Sequence, residues 1–162
     1  MIEAYFDGSY SFQHRKGYSG CMVKTTSQEI KCCMFTNRKG SEDSEKIALL
    51  LAIKQIKNII QKNNLTGQVI HIKGDAKNLI SMVNNIRKNK TTCNMYKYKR
   101  LRNKYKILKE EVYNSIFDIE ENNYLIISWI PRRQNLADKI VGIQCNYFQK
   151  THKTIDKQFQ LV

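Results

Sequence analysis

The spacing of apolar residues changes near residue 40, and this change restricts the possible folds more than any other feature of the sequence. Before it, apolar and polar residues alternate over 2–6, 17–25 and 29–37, which is typical of β-strands joined by short turns. After it, the apolar residues Ile47, Leu50, Leu51, Ile59 and Ile60 follow helical spacing within residues 41–64, and Ser and Asp side chains are available as caps at the start of this helix. The sequence therefore predicts three antiparallel strands in a meander, followed by a long helix.

The rest of the chain alternates between strand and helix patterns. Residues 67–75 predict a fourth strand, and residues 76–86 and 96–116 predict two helices. The stretch YLIISWIP is almost continuously apolar, so we expect a strand that is buried on both faces, with Trp129 in the core. A last helix should follow, with Asn135 as its cap.

This order of elements, βββαβααβα, predicts a mixed α/β fold with a single core. The chain has 162 residues, a single proline and no repeated or Gly/Ser-rich stretch that would serve as a linker. We expect one domain over residues 1–144. Residues 145–162 are a C-terminal extension that either packs as a helix or remains a tail.

Four acidic residues fall at one edge of the predicted sheet. Asp7 and Asp75 each follow an apolar strand, and Asp7-Gly8 predicts the end of the first one. Glu45 and Asp138 lie in the first turns of helices. Open α/β sheets build their sites at the carboxyl ends of their strands. Four carboxylates there would repel one another unless cations lay among them, and oxygen ligands suit Mg²⁺ or Mn²⁺. Taken singly, each acid could instead be a turn or helix-capping residue.

The charge of the chain predicts a polyanionic partner. Its 28 Lys and Arg residues exceed its 14 Asp and Glu residues, and residues 76–109 contain basic side chains interleaved with tyrosines but no acid. This combination favours binding of nucleic acid, although a bias towards Lys, Asn and Ile codons or a solvated helix face would also account for part of it. The candidate nucleic-acid contacts are Ser9, Ser44, Arg87, Lys88, Lys97, Lys99, Arg100, Arg102, Arg132 and Arg133. Ser9 and Ser44 could equally cap backbone groups.

Other classes of protein are disfavoured. Five cysteines without C-x-x-C spacing and three scattered histidines predict neither a zinc site nor a disulfide framework. The longest apolar run, IALLLAI, is too short to cross a bilayer. We therefore expect a cytoplasmic protein in a reducing compartment, without a membrane association or an obligate protein partner.

The motifs that carry these acids resemble those of the ribonuclease H family, in the family's order. YFDGSY resembles the first-strand motif, SEKIALLLAI the helix with the glutamate, IHIKGDAKNLISMV the strand that ends in aspartate, and SWIPRRQNLADKIV the last motif. The likeness runs from residue 2 to residue 143. It implies a five-stranded mixed sheet flanked by helices, and hydrolysis of the RNA strand of RNA/DNA hybrids with two Mg²⁺ ions, for which Mn²⁺ could substitute.

The resemblance also implies a role for each acid. By position, Asp7 would bridge both ions, Glu45 and Asp75 would hold the ion on the nucleophile side, and Asp138 would help to hold the ion near the leaving group. The loop PRRQN lacks the histidine that many members carry and resembles the group with a P-R-x-x-N loop. The basic residues 87–109 take the position of the family's basic protrusion.

Two other functions fit the same residues. A nuclease of this fold could act on branched or duplex DNA, because no residue identifies a sensor of the RNA 2′-hydroxyl. A non-catalytic nucleic-acid-binding module would use the basic helix alone. Only metal-dependent turnover separates the module from the nucleases.

Overall fold

The computed structural model describes residues 1–36, 40–91 and 110–142. In these ranges the chain forms β1 (Ile2–Ser11), β2 (Lys16–Lys24), β3 (Glu29–Thr36), α1 (Ser41–Asn63), β4 (Val69–Gly74), α2 (Lys77–Thr91), α3 (Glu110–Asn122) and β5 (Tyr124–Trp129). A 3₁₀ turn at Arg132–Gln134 and a helical segment at residues 136–142 follow β5.

The strands form one five-stranded sheet in the order β3-β2-β1-β4-β5. Strands β1, β2 and β3 pair antiparallel, whereas β1, β4 and β5 run parallel. This is the mixed sheet that the sequence predicted. In the register of the parallel part, Phe6 lies opposite Gly74, and Gly74 lies opposite Trp129. The carboxyl ends of β1, β4 and β5 therefore meet at one edge of the sheet.

The main core lies between the sheet and its helices. Alternate residues of β1, namely Ile2, Ala4 and Phe6, are buried on this side with Ala48 and Leu49 of α1. Of the apolar residues that the helical spacing selects in α1, Ile59 is buried, whereas Ile47, Leu50, Leu51 and Ile60 are half-buried. The apolar positions of α1 that are fully buried are Ala48, Leu49, Ala52, Ile53 and Ile56. On the other face of the sheet, Ala137 packs with Tyr5 and Met22.

Two local predictions were wrong. Strand β1 does not end at Asp7-Gly8 but continues to Ser11, because Asp7 and Gly8 still pair with Gly20 and Ser19 of β2. Helix α1 has no side-chain cap at its start, where Gly40 precedes the first turn.

Strand β5 is not buried on both faces. It is the outermost strand of the sheet, next to β4 only. Its residues Tyr124 (72%), Ile126 (46%) and Trp129 (49%) are exposed. Placing Trp129 in the core was therefore wrong. An apolar run alone does not distinguish a central strand from an edge strand.

Several predictions concern residues outside the described ranges. The start of the helix predicted over 96–116 is one of them, and helix α3 continues that prediction from Glu110 to Asn122. The C-terminal extension at 145–162 also lies outside them. Among the described helices, none combines the length and the apolar character that a bilayer span requires.

Replacing Gly8 with Ala should destabilise the protein by about 1–3 kcal/mol, since overpacking against backbone atoms cannot be relieved by a rotamer change. A Cβ atom at residue 8 would lie 2.2 Å from the backbone N of Glu45 and 2.2 Å from the carbonyl C of Ser44. Urea unfolding of the purified variant would measure the loss. Gly142→Ala is the control, because no atom of the described residues, apart from its chain neighbours and the backbone of its own helix, lies within 4 Å of the added Cβ. Equal stability of the two variants would contradict the close approach.

Candidate active site

Parallel pairing of β1 with β4 brings Asp7 and Asp75 together. Phe6 and Gly74 are register partners, so the residues that follow them lie side by side at the carboxyl edge of the sheet. Asp7 is still part of β1, with 6% of its surface exposed, and Asp75 follows the last residue of β4. The adjacency of the two carboxylates therefore results from strand topology.

Gly8 allows helix α1 to bring Glu45 to the same edge. The backbone of α1 at Ser44 and Glu45 lies so close to Gly8 that no side chain would fit between them. The Ser19 hydroxyl donates a hydrogen bond of 2.6 Å to the Ser44 carbonyl and so ties the first turns of α1 to β2. Glu45 is thereby held next to the strand that carries Asp7.

Asn135 connects three of the elements at this edge. Its Nδ2 donates to the Phe6 carbonyl (2.9 Å) and to Asp75 Oδ1 (3.0 Å), and its Oδ1 accepts from the Ala137 N–H (3.1 Å). This last bond confirms Asn135 as the cap of the helical segment 136–142. Because Asp138 lies in the first turn of that segment, the cap also places the fourth acid near Asp7.

Two of the carboxylates, Asp7 and Glu45, have a raised proton affinity. Burial, together with the negative charges of Asp75 and Asp138, raises the pKa of Asp7 to about 7, against a smaller opposing effect of Arg132. Burial, together with repulsion from Asp75 and Glu42, raises the pKa of Glu45 to about 7. Asp7 interacts with Asp75 and Asp138, and Glu45 interacts with Asp75, so the four acids form one electrostatic cluster.

Asp138 is the member of the cluster with a positive partner. Its Oδ1 accepts a hydrogen bond of 2.9 Å from Arg132 Nε, and the negative charge of Asp138 raises the pKa of the guanidinium. The Arg132 side chain is 74% exposed, so the ion pair is held at the surface. Exposed ion pairs of this kind contribute little to stability, so Arg132 can leave Asp138 at small cost.

The donor types and charge of the cluster suit a hard divalent cation. All four side chains offer carboxylate oxygens, and the raised pKa values of Asp7 and Glu45 indicate negative charge that a cation would compensate. As placed, however, no group of three or more His, Cys, Asp or Glu side chains in residues 1–36, 40–91 and 110–142 is arranged to hold a metal ion. The ion pair of Asp138 with Arg132 occupies one of the oxygens that such a group would use.

A cleft of about 450 Å³ opens next to two of the acids. Glu45 and Asp75 line it, together with Lys77 and Asn78 at the start of α2. Its lining combines the acids Glu42, Glu45 and Asp75 with the lysines Lys46 and Lys77. This arrangement can accept a cation and, beside it, a phosphate.

The predicted nucleic-acid contacts differ in their surroundings. Lys88, Arg132 and Arg133 are exposed, and Ser9 is half-buried near Asp7 on β1. Ser44 is fully buried, and its hydroxyl donates to the Gly40 carbonyl, so a direct contact of Ser44 with nucleic acid is not supported. The remaining candidates, Lys97, Lys99, Arg100 and Arg102, lie outside the described residues.

Arg87 was also predicted to contact nucleic acid, but it is engaged within the protein. Its guanidinium forms an ion pair with Glu120, donates to the Leu125 carbonyl at 2.6 Å, and contacts Asn84 Oδ1 at 2.7 Å. It thereby joins α2, α3 and β5. These bonds make Arg87 a structural residue in the described part of the chain.

Two residues that build the site were not recognised from the sequence. Gly8 was interpreted as part of a turn, and the only signal of its role is a glycine within a strand pattern, which can mark a close approach of backbone. Asn135 was interpreted as a cap alone. Its bonds to Phe6 and Asp75 join segments that are 129 and 60 residues apart, so no local pattern reveals them.

No family model matches the sequence, and no curated protein matches it. Solved structures do match the fold. The N-terminal ribonuclease H domain of Rv2228c from Mycobacterium tuberculosis aligns with a TM-score of 0.61 at 13% identity, over 93% of this chain and 97% of that one. RNase H1 from Halobacterium salinarum aligns with a TM-score of 0.57 at 18% identity, over 90% of this chain and 98% of that one.

Two further matches are structures that contain nucleic acid. LC11-RNase H1, in complex with an RNA/DNA hybrid, aligns with a TM-score of 0.58 at 16% identity, over 88% of this chain and 95% of that one. The foamy viral protease-reverse transcriptase, in complex with double-stranded DNA, aligns with a TM-score of 0.57 at 22% identity, over 87% and 91%. The chain thus has the ribonuclease H fold, as the order of its motifs predicted.

Proposed function

We propose that this protein is a metal-dependent endonuclease that hydrolyses the RNA strand of RNA/DNA hybrids. The observation that supports the proposal most is the cluster of four carboxylates, two of them with a pKa raised to about 7, in a chain whose net charge is +14. A protein that only binds nucleic acid gains nothing from buried acids that face a phosphate. Such a cluster has a function if it binds cations that in turn contact the phosphate of the substrate.

The carboxylates would hold two Mg²⁺ ions, which, when bound, supply an activated water and neutralise charge at the scissile phosphate. Asp7, the most buried of the four acids, would take part in holding both ions. Glu45 and Asp75 would help to hold the ion on the side of the nucleophile, and Asp138 would help to hold the ion on the side of the leaving group. Arg132 must release Asp138 before that residue can act as a ligand. Once released, the Arg132 guanidinium is free to bind a phosphate of the substrate.

Asn135 contributes by orienting the acids. Its amide fixes one oxygen of Asp75 and the backbone that precedes Asp7, so both carboxylates are held before the substrate arrives. A fixed orientation avoids reorganisation during the reaction. The exposed residues Lys88 and Arg133, and the basic segment 97–102 beyond the described residues, would bind the substrate backbone.

The test is a cleavage assay with the wild-type protein and Asp75→Asn, on an RNA/DNA hybrid, duplex DNA and branched DNA of one sequence. We expect wild type with Mg²⁺ to cut the RNA strand of the hybrid, and Asp75→Asn to be slower by at least about 100-fold, because removal of a charged ligand weakens cation binding. Asp118→Asn is the matched control, since Asp118 is an exposed α3 residue paired only with Lys57 among the described residues.

Each alternative function has its own result in this assay. If the protein cuts branched or duplex DNA faster than the hybrid, the result would favour a nuclease of this fold that acts on DNA. Binding of nucleic acid without cutting in Mg²⁺ or Mn²⁺ would contradict a nuclease and favour the binding module. If Asp75→Asn cleaves the hybrid at the same rate as wild type, the carboxylate cluster does not take part in the reaction.

A further inference from the structure

An exposed tryptophan lies directly beside the carboxylate cluster. Trp129 ends β5 and lies opposite Gly74, the residue before Asp75. The Ile130 N–H donates to the Gly74 carbonyl at 2.9 Å, so the backbone on both sides of Trp129 is tied to β4. Nevertheless, 49% of the Trp129 side chain is exposed. The backbone that carries the indole is thus fixed beside Asp75, and much of the residue's surface is open to contact.

A lysine side chain, Lys77, lies near the exposed Trp129 ring. Lys77 Nζ lies 6.0 Å from the centre of the Trp129 ring, and Lys77 also lines the cleft with Glu45 and Asp75. In the described parts of the chain, no carboxylate lies within ion-pair distance of Lys77. A cation that contacts only an exposed ring gains little, about 0.5–1 kcal/mol. Both groups are therefore available for a ligand.

We propose that Trp129 and Lys77 bind one nucleotide of the nucleic-acid strand that passes the carboxylate cluster. The indole packs against the sugar or base of that nucleotide, and the Lys77 ammonium neutralises its phosphate. An aromatic surface next to an unpaired cation is complementary to a nucleotide, which joins an apolar ring face to an anion. The proposal deepens the proposed function, on which it rests for the class of ligand.

The sequence offers a direct probe, because Trp129 is the only tryptophan in the chain. Acrylamide quenching of its fluorescence measures the accessibility of this side chain alone. We expect the quenching constant to fall at least about twofold when a hybrid saturates the wild-type protein, because a packed nucleotide excludes the quencher. A chelator keeps the hybrid uncut, and the anisotropy of a labelled hybrid confirms saturation. An unchanged quenching constant at saturation would overturn the proposal.

Variants test the contribution of each side chain to affinity. Trp129→Ala should weaken hybrid binding by about fivefold or more, and Trp129→Phe should weaken it less, since a ring is retained. Lys77→Gln should weaken binding and reduce its salt dependence, whereas Lys54→Gln, an equal charge change on an exposed position of α1, should do so less. Thermal melting confirms that each variant is folded. If Trp129→Ala fails to fold, the quenching result for the wild type decides.

Failure of this proposal is distinguishable from failure of the proposed function. Cleavage of hybrids with no protection of Trp129 would overturn the tryptophan contact and leave the nuclease intact. Protection of Trp129 by hybrid without any cleavage would support the contact and contradict the nuclease. Protection by duplex DNA equal to that by hybrid would support a contact that does not distinguish RNA from DNA.

Discussion

Asp7→Asn should reduce hybrid cleavage by at least about 1000-fold and yet make the metal-free protein more stable at pH 8. The loss of activity follows from removing the acid proposed to hold both ions, a contribution of about 4 kcal/mol to the transition state. The gain in stability follows from removing a buried negative charge that is repelled by Asp75 and Asp138. We expect a gain of roughly 1–3 kcal/mol.

The gain should depend on pH with a definite sign. Because the folded-state pKa of Asp7, about 7, lies above its ordinary value of 3.8, the folded protein binds a proton more tightly than the unfolded chain does. Wild type therefore loses stability as pH rises from about 4 to about 7, and the difference from Asp7→Asn is largest above pH 7. Near pH 4 the difference should vanish.

Urea unfolding of both proteins from pH 4 to pH 8, in the presence of a chelator, measures this dependence. Asp118→Asn is the control, because it removes an exposed carboxylate and should leave stability nearly unchanged. Added Mg²⁺ should stabilise wild type more than Asp7→Asn at pH 8. A variant that is inactive and also less stable than wild type at every pH would indicate damage to the fold and contradict the predicted repulsion.

The carboxylate cluster was predictable from the sequence because two of its members lie at the ends of parallel strands. Once β1 and β4 pair in parallel, Asp7 and Asp75 must be neighbours, whatever the details of packing. Two helices begin near the carboxyl ends of these strands, and they bring Glu45 close to Asp75 and Asp138 close to Asp7. Topology thus converts a pattern in the sequence into a cluster of carboxylates, provided that the order, direction and register of the strands are correct.

What the sequence could not predict depends on contacts between distant segments. A glycine after an aspartate has the same local pattern in a turn and in a strand against which a helix packs, so the role of Gly8 was missed. Trp129 was predicted to be buried because its strand is apolar, but the position of β5 at the sheet edge leaves the ring exposed. In the sequence, Arg87 cannot be distinguished from the other basic residues, because its ion-pair partner Glu120 lies in a distant segment.

Asn135→Asp should destabilise the protein by about 2–4 kcal/mol at pH 8, because it leaves a buried acceptor unpaired and adds a charge beside the cluster. The substitution keeps the size of the side chain and the Oδ1 atom that accepts from the Ala137 N–H. It removes the Nδ2 atom that donates to the Phe6 carbonyl and to Asp75. The variant therefore isolates the donor role of Asn135 from its role as a helix cap.

The loss should shrink as pH falls towards about 4, the ordinary pKa of Asp. The new carboxyl group is buried beside the cluster, so it is protonated in the folded protein at a higher pH than in the unfolded chain, and it can then donate again. Urea unfolding at pH 8 and pH 4.5 tests this, with Asn58→Asp, the same change at an exposed position of α1, as the control. Hybrid cleavage at a permissive temperature should fall as well, because Asp75 loses the bond that orients it. If Asn135→Asp were as stable as Asn58→Asp at pH 8, the amide would not hold the cluster together, and the acids would be positioned by the strands and α1 alone.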